Sequence, residues 1–180
     1  MQISDPIFSG TRETVSRLLC FGFSGTARAL AEELLKDPQE AGWEVIGTCR
    51  DMAKTESRNI LDDVTVYEFN RHRPLAGDVF MGVTHMLSSV PPDEVGDPVL
   101  DMHGQELADM SSLQWAGYLS TTGVYGDCEG GWVDEESPTN PSGERGRRRV
   151  AAENGWRALR KSSDLHADFL TFLLRIYLNM

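Results

Sequence analysis

Short apolar runs closed by glycine or polar residues recur along this chain. Between them lie stretches whose apolar positions return every three or four residues. Arg17-Leu18-Leu19-Cys20-Phe21 is such a run, ends at Gly22, and suits a buried strand. Ala27, Leu30, Ala31, Leu34 and Leu35 then fall on one helical face, and Asp37-Pro38 ends that helix. Residues 43–48 read as a second strand, so 17–48 form a strand–turn–helix–strand unit of about 30 residues. Further strands are predicted over 64–69, 83–88, 115–121 and 169–174. Helices are predicted over 98–111 and 143–161, the latter capped by Ser142 with Glu144 in its first turn. Alternating strands and helices predict an α/β fold, a Rossmann-type doubly wound parallel sheet over 17–180, after a loose leader at 1–16.

Composition narrows the function classes. The chain has 180 residues, 40% hydrophobic and 25% charged, the profile of one globular domain. A net charge of −11 repels polyphosphate, so no nucleic-acid partner is expected. The charge is uneven: residues 62–143 hold fifteen acids and two bases, whereas 144–161 hold seven bases and two acids. Cys20, Cys49 and Cys128 are odd in number and scattered. They indicate neither a disulfide framework nor a zinc site, and they fit a reducing compartment. No apolar run reaches the length of a membrane span, and Asp5 and Glu13 interrupt any signal peptide. A cytoplasmic protein is expected. His72, His85, His103 and His166 show no metal-ligand spacing.

The first turn carries the first candidate chemistry. Gly22-Phe23-Ser24-Gly25-Thr26-Ala27 lies between a predicted strand and a predicted helix, as a dinucleotide-binding turn requires. Glycines there allow a sharp turn and a close approach of backbone to pyrophosphate. A small residue lets the helix pack on the strand, and the helix N-terminus supplies donors. Gly22 and Ala27 keep the G-x-G-x-x-A register, with Ser24 in the middle position and Gly25 one later; a G-x-x-G reading fits Gly22 and Gly25 equally. After the second strand comes Arg50, where an acid would hold ribose hydroxyls. An arginine suits a 2′-phosphate, so NADP is favoured over NAD.

The fifth strand and its loop read Tyr118-Leu119-Ser120-Thr121-Thr122-Gly123-Val124-Tyr125-Gly126-Asp127, then Gly130-Gly131-Trp132-Val133-Asp134-Glu135. With Thr84, His85, Leu87, Ser88, Pro91 and Pro92 after strand four and Gly96-Asp97-Pro98 beyond, the chain resembles an atypical branch of the extended short-chain dehydrogenase/reductases, the NAD-dependent epimerase/dehydratase superfamily, over about 17–176. The resemblance implies that Thr121 binds the reacting oxygen, that Thr121 and Ser88 border the cofactor, and that hydride passes between cofactor and a small carbonyl or sugar-nucleotide substrate. It also implies a Tyr-x-x-x-Lys pair some 25 residues on. Here Gly146 and Glu153 set the register, and Arg145 stands in place of Tyr and Arg149 in place of Lys. An arginine does not exchange its proton near neutral pH. At i and i+4 on one helix face, the two arginines suit an anion, or else a solvated surface with Arg149 paired to Glu153.

Family members continue past their sixth strand into a substrate-binding lobe. At Arg175-Ile176-Tyr177 that continuation is missing, so a Rossmann half without most of its substrate lobe is expected. Two functions stand: a dinucleotide-dependent oxidoreductase or epimerase with a small-molecule substrate, or a catalytically degenerate nucleotide-binding module; a homodimer is a further expectation. A hydrolase elbow at Gly22-Phe23-Ser24-Gly25-Thr26 fails because the last glycine of G-x-S-x-G is missing.

Overall fold

The first strand, β1 (Ser16–Phe21), buries both of its faces: Leu18 and Cys20 turn to one side of the sheet, Leu19 and Phe21 to the other. That two-sided burial is the mark of an inner parallel strand, and the computed structural model shows one. It describes residues 15–36, 42–55, 62–134, 136–162 and 168–172. Most of the leader at 1–16, the Asp37-Pro38 stop, His166 and the segment from 173 onward lie outside the described residues.

Six parallel strands stand in the order β3-β2-β1-β4-β5-β6. They are β1, β2 (Trp43–Cys49), β3 (Val64–Glu68), β4 (His85–Ser88), β5 (Trp115–Leu119) and β6 (Asp168–Phe172). Helix α1 (Gly25–Leu34) covers one face through Ala27 and Ala31, which join Leu18, Cys20, Val45 and Leu87. Helices α3 (Pro98–Ala108) and α4 (Glu144–Ser162) cover the other through Val99, Leu107, Ala152 and Trp156, packed with Leu19, Ile46, Met86 and Tyr118. A single turn, α2 (Met52–Thr55), follows β2, and 3-10 turns occupy Gly77–Phe80 and Thr122–Val124. The order reverses between β1 and β4, so loops after those strands diverge and leave a crevice at the carboxyl edge. Among the described residues, no helix is long and apolar enough to cross a membrane.

Several boundaries differ from expectation. Strand β5 stops at Leu119 because Thr121 leaves the sheet to cap the 3-10 turn, accepting from the Gly123 amide at 3.4 Å. Helix α4 starts at Glu144, and its first backbone bond runs from the Arg147 amide to the Gly143 carbonyl. Gly143, not Ser142, is therefore the capping position. Helix α3 opens at Pro98 behind Asp97, whose Oδ1 accepts the Val99 and Leu100 amides at 2.8 and 3.2 Å.

The other oxygen of Asp97 accepts Trp156 Nε1 at 2.9 Å, tying the start of α3 to the middle of α4. Both residues are buried, and burial pushes the Asp97 carboxyl up, against the hydrogen bonds that pull it down. Trp156 also stacks on Tyr118 of β5 at 5.7 Å. His103 is a core histidine: among the rings of Phe21, Phe69 and Phe80, its Nε2 accepts the Leu75 amide at 3.1 Å, while its buried Nδ1 makes no hydrogen bond and lies 3.7 Å from Glu106 Oε1. Trp156→Phe keeps a ring against Tyr118 but strands one Asp97 oxygen. It should cost about 1–3 kcal/mol, read as a lower urea midpoint with an unchanged slope. An unmoved midpoint would show that the bond to Asp97 contributes nothing.

Candidate functional site

The turn from β1 into α1 is fastened to the neighbouring strand. Gly22 has φ +84, the left-handed region that glycine tolerates. Its amide donates to the buried hydroxyl of Thr48 at 2.9 Å, and the Phe23 amide donates to the Thr48 carbonyl at 2.7 Å. From the other side Ser89, just after β4, donates its hydroxyl to the Gly22 carbonyl at 2.6 Å. The Ser24 amide turns back to the Gly22 carbonyl at 3.0 Å, and the Ala27 amide bonds the Ser24 carbonyl at 3.0 Å. Among the described residues this leaves the amides of Gly25 and Thr26, the first two of α1, without a bond to the chain. They are the donors that a helix N-terminus offers an anion.

The two glycines do different work. A Cβ on Gly22 would meet Ser89 Oγ at 2.6 Å, so Gly22 is required by the packing of the turn, not by space for a phosphate. Gly25, at φ +41, faces nothing within 4 Å of where a Cβ would be, and the open space at the helix end lies there. Ala27 is fully buried against β1 and β2, as the small closing residue of the turn should be. Phe23 lies over Gly47, whose Cβ would come within 2.6 Å of the ring. Thr26 is exposed at the first turn.

A cleft of about 670 Å³ opens on this turn. It is lined by Gly22 through Gly25, by Thr48, Cys49 and Arg50 from the end of β2, and by Ser89, Val90 and Pro91 after β4. Arg50 is there as expected, exposed, with its carbonyl accepting Asn70 Nδ2 at 3.3 Å. Three cations line the cleft of an acidic chain: Arg28, Arg50 and Lys54. Ser88, expected at the cofactor, is fully buried inside the sheet and is not among the lining residues; Ser89 is. Sequence reading passed over Thr48, Ser89, Arg28 and Lys54. The last two carry the spacing of an ordinary helix surface, which gives the sequence no signal.

At the end of β5 the Val-Tyr-Gly segment proves structural. Val124 is buried, and Tyr125 donates its hydroxyl to the Asp134 carbonyl at 2.5 Å. Gly126, at φ +72, leaves no room for a Cβ, which would fall 2.0 Å from the Asn140 carbonyl oxygen. Gly146 lets the first turn of α4 press on the Thr121–Val124 turn, where a Cβ would meet the Gly123 oxygen at 2.7 Å. Thr121 is exposed above that contact, its oxygen accepting from Gly123 and its hydrogen left for another acceptor.

The two arginines separate. Arg149 Nη1 donates to the Tyr118 hydroxyl at 3.1 Å and to the Leu119 carbonyl at 3.0 Å, and its guanidinium lies 5.6 Å from the Tyr118 ring centre. It fastens α4 to the end of β5. The expected pairing of Arg149 with Glu153 does not form. Buried Glu153 instead takes a hydrogen bond from Ser120 and an ion pair with Arg157 at 3.3 Å. Arg145 is exposed, with no side-chain partner among the described residues. Two other groups that could serve as acid or base, Tyr118 and His85, are poorly placed. Burial pushes the Tyr118 phenol up. His85 opens β4 at the opposite edge of the sheet, 4.8 Å from the Trp43 ring centre, and burial pulls it down.

No protein-family model and no curated protein matches this chain. Solved structures do. A conserved protein of unknown function from Silicibacter pomeroyi is 40% identical, with a TM-score of 0.73 over 89% of this chain and 52% of that one. UDP-glucuronic acid 4-epimerase from Bacillus cereus, solved with NAD, gives 0.64 at 16% identity over 86% of this chain and 55% of its own. A putative NAD-dependent epimerase/dehydratase from Methylobacillus flagellatus gives 0.57 at 20%, over 88% and 54%. The chain thus spans about half the length of the solved structures it matches.

Gly25 and Gly22 are separable by mutation. Gly25→Ala should fold, at a strain of about 1–2 kcal/mol, and should lose about tenfold or more in affinity for any anion held at the helix end. Gly22→Val should lower the melting temperature first, because it displaces Ser89. Unchanged ligand affinity in a folded Gly25→Ala protein would remove the helix end from the site.

Proposed function

We propose that this chain, which carries the Rossmann fold of the NAD-dependent epimerase/dehydratase proteins, binds a nicotinamide dinucleotide across the carboxyl edge of its sheet. The observation that carries this reading is the pair of unbonded amides, Gly25 and Thr26, at a helix end where Gly25 lines a cleft with Arg28, Arg50 and Lys54. In this reading the pyrophosphate lies at the N-terminus of α1, over the gap left by Gly25. The adenosine ribose lies at the end of β2, beside Arg50. The nicotinamide end reaches toward Thr121, whose hydroxyl has a hydrogen to offer a carbonyl oxygen.

NADP is preferred over NAD in this proposal. Arg50 stands where an acid would receive ribose hydroxyls, and a guanidinium makes a forked pair with a phosphate. Asp51, the one acid lining the cleft, is held at 2.9 Å by Lys54, whose bond keeps its carboxyl below the usual range. Neighbours solved with NAD support the dinucleotide, not the choice between the two forms. The acidic chain favours a small-molecule partner over nucleic acid. Unpaired Cys20, Cys49 and Cys128 suit a reducing, cytoplasmic setting; burial pushes the Cys20 thiol up to about 12.

A second reading concerns catalysis, and one observation favours it. The guanidinium of Arg149 is spent on Tyr118 and Leu119, and Arg145 holds its proton permanently. The proton relay of a Tyr-Lys pair has no counterpart at residues 145 and 149. The chain then serves as a nucleotide-binding module, with any hydride transfer to a small carbonyl or sugar nucleotide lacking that relay.

Two measurements test the proposal. By calorimetry, Arg50→Ala should weaken NADP binding about tenfold or more while sparing NAD; equal weakening of both would take Arg50 off the 2′-phosphate. Against a panel of small carbonyls, the native chain should oxidise NADPH no faster than the reagent blank. Vigorous turnover with a single-group pH profile would overturn the module reading.

A further inference from the structure

Helix α4 runs back over the end of β5, and its contacts fall in step. Trp156 stacks on Tyr118. Arg149, two turns earlier, reaches the Tyr118 hydroxyl and the carbonyl of Leu119, the last residue of the strand. Gly146 comes next and is pressed on the Gly123 carbonyl, past the strand end. Arg145 lies one helical turn, about 5.4 Å, before Arg149 and on the same stripe, at i and i+4. It therefore stands beyond the carboxyl end of β5, beside the turn that Gly146 touches. The rest of the basic run is committed. Arg147 and Arg148 both pair with Glu144, at 2.8 and 3.5 Å, and Arg149 is bound to β5. Arg145 is exposed and has no side-chain partner among the described residues. On the facing turn Thr121 is exposed too. Its oxygen accepts the Gly123 amide at 3.4 Å, and its hydrogen is unspent. Two uncommitted donors thus share the rim beyond β5: a planar charged fork and a single hydroxyl.

We propose that Arg145 and Thr121 form a subsite for a small oxo acid, the guanidinium taking the carboxylate and the Thr121 hydroxyl donating to the adjacent carbonyl oxygen. A guanidinium matches a carboxylate with two parallel N–H···O bonds. In a 2-oxo acid the carbonyl oxygen adjoins that carboxylate, where a second donor beside the first is useful. Charge separates this ligand from a phosphomonoester. One unpaired cation balances the single charge of a carboxylate, whereas a phosphomonoester brings close to two into a chain of net charge −11. The inference rests on the dinucleotide reading above, which brings the nicotinamide end toward Thr121. It narrows the small-molecule partner from any carbonyl compound to an oxo acid. It concerns binding alone; no bond is made or broken.

The test is NMR titration of the isotopically labelled whole chain, saturated with NADP or NAD, using pyruvate, hydroxyacetone and dihydroxyacetone phosphate as probes. Pyruvate should bind and shift the Thr121 and Gly123 amides and the Arg145 Nε–H resonance. Hydroxyacetone keeps the carbonyl but lacks the charge, and should bind about tenfold or more weaker. Arg145→Gln should weaken pyruvate about tenfold or more and leave hydroxyacetone within about twofold, and Arg145→Lys should recover part of the loss. Thr121→Val should weaken both, because both present the same carbonyl. A native chain that binds a dinucleotide but not pyruvate, or that prefers the phosphate probe, overturns the inference and leaves the dinucleotide reading standing. Full pyruvate affinity in a folded Arg145→Gln chain overturns it as well. A native chain that binds neither dinucleotide overturns that reading, and the inference with it. Melting curves of the Arg145 variants should match the native chain, since the side chain is exposed.

Discussion

The hydroxyl of Thr48 receives the Gly22 amide, and its carbonyl receives the Phe23 amide. Through these two bonds β2 sets the course of the chain between β1 and α1. With Ser89 holding the Gly22 carbonyl from β4, the turn is gripped by both neighbours of β1. Four amides of the turn are used internally, and the two at the start of α1 are left without a bond, beside the cleft that Gly25 lines. The proposed anion site is thus a consequence of where the other donors are spent. Thr48 is buried because it sits in an inner strand, and its hydroxyl is satisfied by the Gly22 amide of this turn.

The turn after β5 follows a different constraint. Close packing of α4 on the Thr121–Val124 turn depends on Gly146, and Arg149 then reaches back to Tyr118 and Leu119. A lysine at that position would offer one point charge; the guanidinium spans a hydroxyl and a carbonyl from the same Nη1 while its face lies near the phenol ring. The arginine therefore suits fastening better than proton transfer. Beneath it, Ser120–Glu153 and Asp97–Trp156 satisfy the buried acids that bring α3 and α4 onto the sheet.

Much of this was legible in the chain. Two-sided apolar runs gave inner parallel strands, and the βαβ spacing of 17–48 gave the turn. Where reading slipped, the reasons are physical. Ser88 and Ser89 are adjacent, and in a strand one residue decides between the interior and the crevice. Gly22 and Gly25 look alike in a motif, yet one answers to Ser89, 67 residues away, and the other to open space. Arg28 and Lys54 carry ordinary helix-surface spacing, and only the fold brings them to the cleft that Arg50 lines. The separation of Arg145 from Arg149 was hidden because the partners of Arg149 belong to β5, some thirty residues earlier.

The central claim is that a dinucleotide phosphate takes the two amides left over at the start of α1. Amide resonances of the isotopically labelled chain, followed during a titration with NADP, test it most directly. The account predicts large, saturable shifts at Gly25 and Thr26, with Gly22 and Phe23 held nearly still by Thr48. Saturable binding that moves neither Gly25 nor Thr26 would contradict it.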